Sequence, residues 1–106
     1  MNADCVLLFV TVPDLENAKK IARGLVSEKL AACVNIAAEF QSVYRWEGKI
    51  EESNERLLLI KTLRDNFTKA ESWIKKNHPY SVPEIIAVPI LEGSSDYLNW
   101  LKESVR

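Results

Sequence analysis

Across residues 32–46 every second position but one is apolar: Ala32, Val34, Ile36, Ala38, Phe40, Tyr44 and Trp46, with Ser42 breaking the row. The intervening Cys33, Asn35, Glu39, Gln41 and Arg45 are mostly polar, which is the period of a strand with one buried face. At about 3.3 Å per residue such a strand reaches about 50 Å, against about 20 Å for a common one. The best amphipathic helix, residues 15–29, spans only about 22 Å at 1.5 Å per residue. It cannot cover the row, and exposed apolar patches of that size are rare on monomers, so the surplus predicts burial against other copies of the chain.

With 106 residues, 47% of them hydrophobic and 27% charged, the chain suits one compact domain over 1–106. A formal net charge of -1 argues against nucleic acid as a partner, because phosphate binding needs a basic surface. No run of about 18 apolar residues is present to span a membrane, and Met1, Asn2, Ala3 and Asp4 lack the basic region of a secretory leader. These features predict a cytoplasmic protein. Cys5 and Cys33 are too far apart for a zinc clip or a redox pair, and each lies in an apolar strand pattern where a thiol acts as a small hydrophobe.

The element order follows from local punctuation. Residues 5–12 form an apolar run ended by Pro13, a central strand buried on both faces. Asp14 caps a first helix carrying Leu15, Ala18, Ile21, Ala22, Leu25 and Val26. The long strand follows, then a turn at Glu47, Gly48 and Lys49, then a third strand over 51–62, polar first and apolar later. Asp65 or a neighbour caps a second helix with Phe67, Ala70 and Ile74, which ends around Asn77 and His78 because Pro79 cannot continue it. Residues 84–91 form a fourth strand whose Pro89 marks an edge or a bulge, and residues 93–96 open a last helix with Tyr97, Leu98, Leu101 and Val105 on one side. This is an α+β chain of split βαβ order, one antiparallel sheet with both helices on one face and a C-terminal helix added. The opposite face is left bare, and burial against identical sheets in a closed ring would cover it.

Five segments then carry a resemblance: Glu28-Lys29-Leu30-Ala31-Ala32-Cys33-Val34-Asn35, Tyr44-Arg45-Trp46-Glu47-Gly48-Lys49, Ile60-Lys61-Thr62, His78-Pro79-Tyr80-Ser81-Val82-Pro83-Glu84 and Asp96-Tyr97-Leu98-Asn99-Trp100. Together, and in this order, they resemble the CutA family of divalent-cation tolerance proteins nearly end to end. The resemblance implies a ferredoxin-like βαββαβ subunit in a tight homotrimer built like the PII signalling proteins, with long hairpins exchanged between neighbours. It also implies a role in tolerance of copper and other divalent metals. In some members copper is assigned to a cysteine ending the first strand and to two adjacent histidines before Pro-Tyr. Those positions hold Val10, Asn77 and His78 here, and valine offers a soft metal nothing.

Each candidate residue has two readings. His78, the sole histidine, is a ligand to a divalent ion such as Cu2+, helped by Glu84 or another acid, or a helix-end group bonded to a free carbonyl. Cys33 is a soft-metal ligand or core filler; it falls on the polar parity of its strand, and a bulge near residues 37–39 would flip everything beyond it. Lys61 shares a face with Leu57 and Leu59, as a partly buried cation paired with an acid or as the polar end of a core strand. Phe40, Tyr44, Trp46 and Trp100 are anchors of a trimer seam, and Tyr44 and Trp46, with Lys61, Tyr80 and Glu84, are also candidates for a ligand cleft between subunits. Glu47, Glu51, Glu52 and Glu55 read as solubilising charges at the hairpin tip.

No Gly-rich phosphate loop, Gly-x-Ser-x-Gly turn or suggestive Cys/His pair is present, which predicts a non-catalytic protein with no obligatory cofactor. The leading expectation is a homotrimer of metal homeostasis that binds a divalent metal weakly at inter-subunit sites including His78 and Cys33. The alternative is a PII-like sensor or scaffold whose cleft takes a small metabolite or a partner loop.

Overall fold

The computed structural model describes residues 4–106. Residues 1–3, read above for the lack of a basic leader, lie outside the described part. The elements are β1 (Cys5–Val12), α1 (Leu15–Ser27), β2 (Cys33–Ile36), β3 (Phe40–Trp46), β4 (Lys49–Leu63), α2 (Phe67–Asn77), β5 (Ile85–Pro89) and α3 (Ser95–Ser104). All strand pairs are antiparallel, in the order β2-β4-β1-β5, and β3 extends the sheet by pairing with the distal half of β4. β1 is central, as its apolar run requires, and Pro89 ends the edge strand β5, where a missing N–H costs no ladder bond.

Both helices pack on one face of this sheet. Val6, Leu8, Val10 and Val12 of β1 and Leu58 and Ile60 of β4 meet Ala18, Ile21 and Leu25 of α1 and Ala70 and Ile74 of α2. A smaller cluster of Cys5, Ala32, Leu98 and Leu101 seats α3 at the end of the sheet. Asp14 caps α1 by accepting the Asn17 N–H at 2.8 Å. The helix ends in a Schellman motif: the Lys29 N–H reaches the Val26 carbonyl and the Leu30 N–H the Leu25 carbonyl, which forces Lys29 to φ 57°. α2 starts differently from the sequence expectation. Asp65 lies in a 3-10 turn (Arg64–Asn66), and the cap residue Asn66 makes no capping bond, its side chain donating instead to Thr62 Oγ1 at 3.3 Å.

The principal correction concerns residues 32–46. They form two strands, because residues 37–39 bulge out of the ladder: Ile36 opposes Leu58 while Phe40 opposes Glu55, so three residues face two. One extra residue inverts the side-chain parity beyond it. Val34 and Ile36 face the helices with Leu58 and Ile60, whereas Phe40, Tyr44 and Trp46 join the opposite face, in line with Glu55, Leu57, Leu59 and Lys61. The apolar row is therefore two rows on opposite sides. The hairpin closes with Glu47 at φ 50° and Gly48 at φ 80°, the paired left-handed geometry that a two-residue turn between twisted strands demands.

The face opposite α1 and α2 is strongly apolar, and α3 packs on it at the Cys5 and Leu63 end. Leu7, Phe9, Leu57 and Leu59 are only half-buried on it, and Ile86 and Val88 are 51% and 39% exposed. β1 is thus covered by α1 and α2 on one face, while on the other Cys5 and Thr11 are buried and Leu7 and Phe9 between them are only half-buried. The hairpin strands β3 and β4 extend this face beyond β2, in a body measuring 44 × 25 × 24 Å.

Candidate functional site

The bulge brings the hairpin aromatics over the connector that follows α2. That connector is held from behind by His78, a buried residue whose Nε2–H donates to the Thr11 carbonyl at 2.7 Å while Nδ1 accepts the Tyr80 N–H at 3.0 Å. Each bond fixes one nitrogen, so the ring is neutral and carries its proton on Nε2. The cap reading of His78 is corrected in its partner: the carbonyl belongs to the end of β1 and not to α2. The imidazole ties β1 to the connector and leaves neither nitrogen free for a ligand.

Between the connector and the hairpin lies a cavity of about 600 Å3. Its walls include Thr11, Tyr44, Trp46, Glu55, Tyr80 and Glu84. Four of the five cleft residues expected from the sequence therefore converge: Tyr44, Trp46, Tyr80 and Glu84. Glu55 forms the floor. It is only 6% exposed, and its Oε2 accepts the Tyr80 hydroxyl at 2.9 Å. Burial first, then the hydrogen bond to Glu55 and its charge, push the Tyr80 phenol well above its ordinary value, so Tyr80 remains the donor.

Glu55 was read as a solubilising tip charge, and the structure corrects this. A signal existed: Glu55, Leu57, Leu59 and Lys61 alternate along β4, so the parity that paired Lys61 with the two leucines also places Glu55 in their row.

Lys61, the fifth expected cleft residue, is elsewhere. Six residues along β4 from Glu55, it lies about 20 Å away at 3.3 Å per residue. Its Nζ is 3.9 Å from Cys33 Sγ, and among the described residues no carboxylate lies within ion-pair distance of it, which corrects the expected acid partner. Tyr97 of α3 also reaches this corner, where burial, followed by the charge and hydrogen bonding of Cys33, raises its phenol. Trp100 stacks beside Tyr97, ring centroids 5.5 Å apart, away from the hairpin aromatics.

A copper site on the positions implied by the resemblance does not fit this chain. Val10 is fully buried in the core, the Asn77 side-chain amide donates to the Trp73 carbonyl at 2.8 Å, and both His78 nitrogens are engaged. Cys33 is no partner within the protomer: it opposes Lys61, whereas His78 reaches Thr11, which opposes Leu57, about 13 Å farther along the strand at 3.3 Å per residue. Among the described residues no group of three or more His, Cys, Asp and Glu is placed to hold a metal ion, and no helix is long and apolar enough to cross a membrane.

Fold and site together define a small α+β protein with an open antiparallel sheet, an uncovered apolar face and an acidic, aromatic cleft. Comparison with known proteins narrows this: residues 6–104 match the family described as CutA1 divalent ion tolerance protein, and the chain belongs to that family. The divalent-cation tolerance protein CutA of Thermus thermophilus is 50% identical over 98 residues, covering 92% of this chain and 95% of that protein. The chloroplastic protein CutA of Arabidopsis thaliana is also 50% identical, over 95% of this chain, which spans only 56% of that longer relative. Among solved structures, the Thermus thermophilus protein superposes with a TM-score of 0.92 at 49% identity, over 94% of this chain and 97% of that one. The Xylella fastidiosa CutA does so at 0.94 and 44%, over 97% and 99%.

Proposed function

We propose that this protein is a non-catalytic homotrimer serving divalent-cation tolerance, in which ferredoxin-like subunits of PII-like arrangement cover one another's bare sheet faces and each hairpin cleft lies at a subunit boundary. The observation that carries the reading is the apolar face itself. Leu7, Phe9, Leu57, Leu59, Ile86 and Val88 form a continuous surface with no helix over it, and a soluble chain keeps such a surface only by burying it. Phe40, Tyr44 and Trp46, moved onto that side by the bulge, extend the same surface to the hairpin. The ferredoxin-like assignment is supported by the order β2-β4-β1-β5 with α1 and α2 on one face.

In this reading tolerance is exerted through what the cleft binds, as a sensor or carrier, and not by copper chelation at the Val10, Asn77 and His78 positions. The relatives named for divalent-cation tolerance support the physiological setting, and the cavity supports a small-molecule ligand in it. Complementation tests both parts. Cells lacking the protein are challenged with copper and zinc salts and supplied with wild type or Ile86→Asp, which places a carboxylate in the centre of the bare face without touching the core. Wild type restores growth and Ile86→Asp does not. Equal rescue by a variant shown to be monomeric would remove assembly from the mechanism, and no rescue by wild type would remove the tolerance role.

A further inference from the structure

Glu55 presents an unusual charge. The residue is more than nine-tenths buried, yet among the described residues no lysine or arginine lies within ion-pair distance of it or of Glu84 across the cavity. A buried carboxylate is costly unless paired or hydrogen-bonded, and Glu55 has one protein bond, from Tyr80 to Oε2. Oε1 has no protein donor and is not sealed from solvent, since no described buried side-chain oxygen is without a partner. It is therefore the oxygen left to face the cavity. The walls complement it: the aromatic side chains of Tyr44, Trp46 and Tyr80 line the cavity, a surround whose ring quadrupoles favour cations, and Glu84 sits at the exposed rim.

This combination selects among ligand classes. Among the described residues of one chain, an anion would meet two carboxylates and no cation. A bare divalent ion needs several converging hard oxygens, whereas aromatic faces offer it nothing, and the cavity at about 600 Å3 is far larger than an ion and suits a molecule of fragment size. A neutral ligand would leave the Glu55 charge uncompensated. We propose that the hairpin cleft is a site for a small organic cation, an ammonium or guanidinium group on an apolar body, with Glu55 Oε1 accepting from the cationic head and Trp46 and Tyr44 packing on the body. The proposal rests on the reading of this cavity as a binding cleft. Tyr80 is a positioning residue: its hydroxyl holds one Glu55 oxygen and so aims the other.

Calorimetry with three probes of one shape tests it: benzylammonium, the neutral benzyl alcohol and the anion phenylacetate, each titrated into the wild-type assembly and into Glu55→Gln. Benzylammonium is expected to bind wild type at least about tenfold more tightly than benzyl alcohol, and Glu55→Gln to abolish that preference at unchanged assembly mass. Should Glu55→Gln not fold, Trp46→Leu in the exposed hairpin replaces it, with benzylammonium affinity expected to fall about tenfold from loss of the ring face. Equal affinity for ammonium and alcohol, a preference that survives Glu55→Gln, or a benzylammonium affinity unchanged in Trp46→Leu overturns the cation assignment. Tighter phenylacetate binding overturns it too, while leaving the cleft a binding site. Heat from none of the probes at millimolar concentration removes the cleft reading as well. If Glu55→Gln instead dissociates the assembly, a basic side chain of a neighbouring copy fills the cavity and the proposal is wrong.

Discussion

Gly24 lies in the interior of α1, where glycine normally destabilises a helix by about 1 kcal/mol relative to alanine. Gly24→Ala should then be stabilising if only the helix mattered. The structure reverses the sign. A Cβ at Gly24 would fall inside the van der Waals envelope of the Trp73 indole, which α2 lays directly across α1 at this point. Trp73 is part-buried against the main core, so its ring cannot swing away without giving up that packing. Overpacking of this kind costs about 1–3 kcal/mol, and subtracting the gain in helix propensity leaves a net loss of up to about 2 kcal/mol, toward the upper end because the added Cβ would sit deep inside the ring's envelope. Urea unfolding at a fixed protein concentration measures it, since the proposed assembly would link stability to concentration. The same substitution in a Trp73→Ala background should stabilise by about 1 kcal/mol, because the ring is gone and only propensity remains. Stabilisation by Gly24→Ala in the wild-type background would refute the contact between α1 and α2.

Lys29→Gly should raise stability by about 1 kcal/mol in the same assay, because φ 57° at the end of α1 strains any side chain and the exposed bond lost, from Lys29 Nζ to the Arg106 carbonyl, contributes little. Tyr80 is held protonated in the fold above the unfolded value near 10, so the unfolded chain releases its proton first; the stability from this group is complete below about pH 10 and is lost as pH rises beyond it. Tyr97 adds in the same direction. Tyr80→Phe should therefore flatten the fall of the urea midpoint above about pH 10, and an unchanged slope would contradict the Tyr80 and Glu55 pairing. Copper titrated into wild type and into folded His78→Ala should give the same heats, since both ring nitrogens are already bonded to backbone; a loss of heat in the variant would restore His78 as a ligand.

What could be read from the sequence was what local chemistry determines. Val6 to Val12, the Asp14 cap, the stop of α2 before Pro79, the Gly48 turn and the edge position of Pro89 each follow from a few neighbouring residues. The direction in which the hairpin aromatics point does not. It depends on whether residues 37–39 occupy two ladder positions or three, a register set by pairing with β4 some twenty residues away, and the apolar alternation of Ala38 and Phe40 conceals the break. The residues after the bulge were consequently assigned to the wrong face, although the possibility of a bulge there was legible. Glu55 was misread for a related reason: four acids in a hairpin suggest solvent, and only the arrival of Tyr80 from a distant connector closes over one of them. Lys61 sits correctly beside Leu57 and Leu59 in parity, but distance along β4 removes it from the cleft. The contact of Gly24 with Trp73 leaves no local trace at all, being a property of how two helices meet.

In the proposed assembly sister copies cover the inverted hairpin row and the bare sheet face, and the mass of the particle in solution tests this most directly. Sedimentation equilibrium at micromolar concentration should give a species three times the 12.1 kDa subunit mass, with no monomer resolved until the chain unfolds. A folded, stable 12.1 kDa species under those conditions would contradict the account.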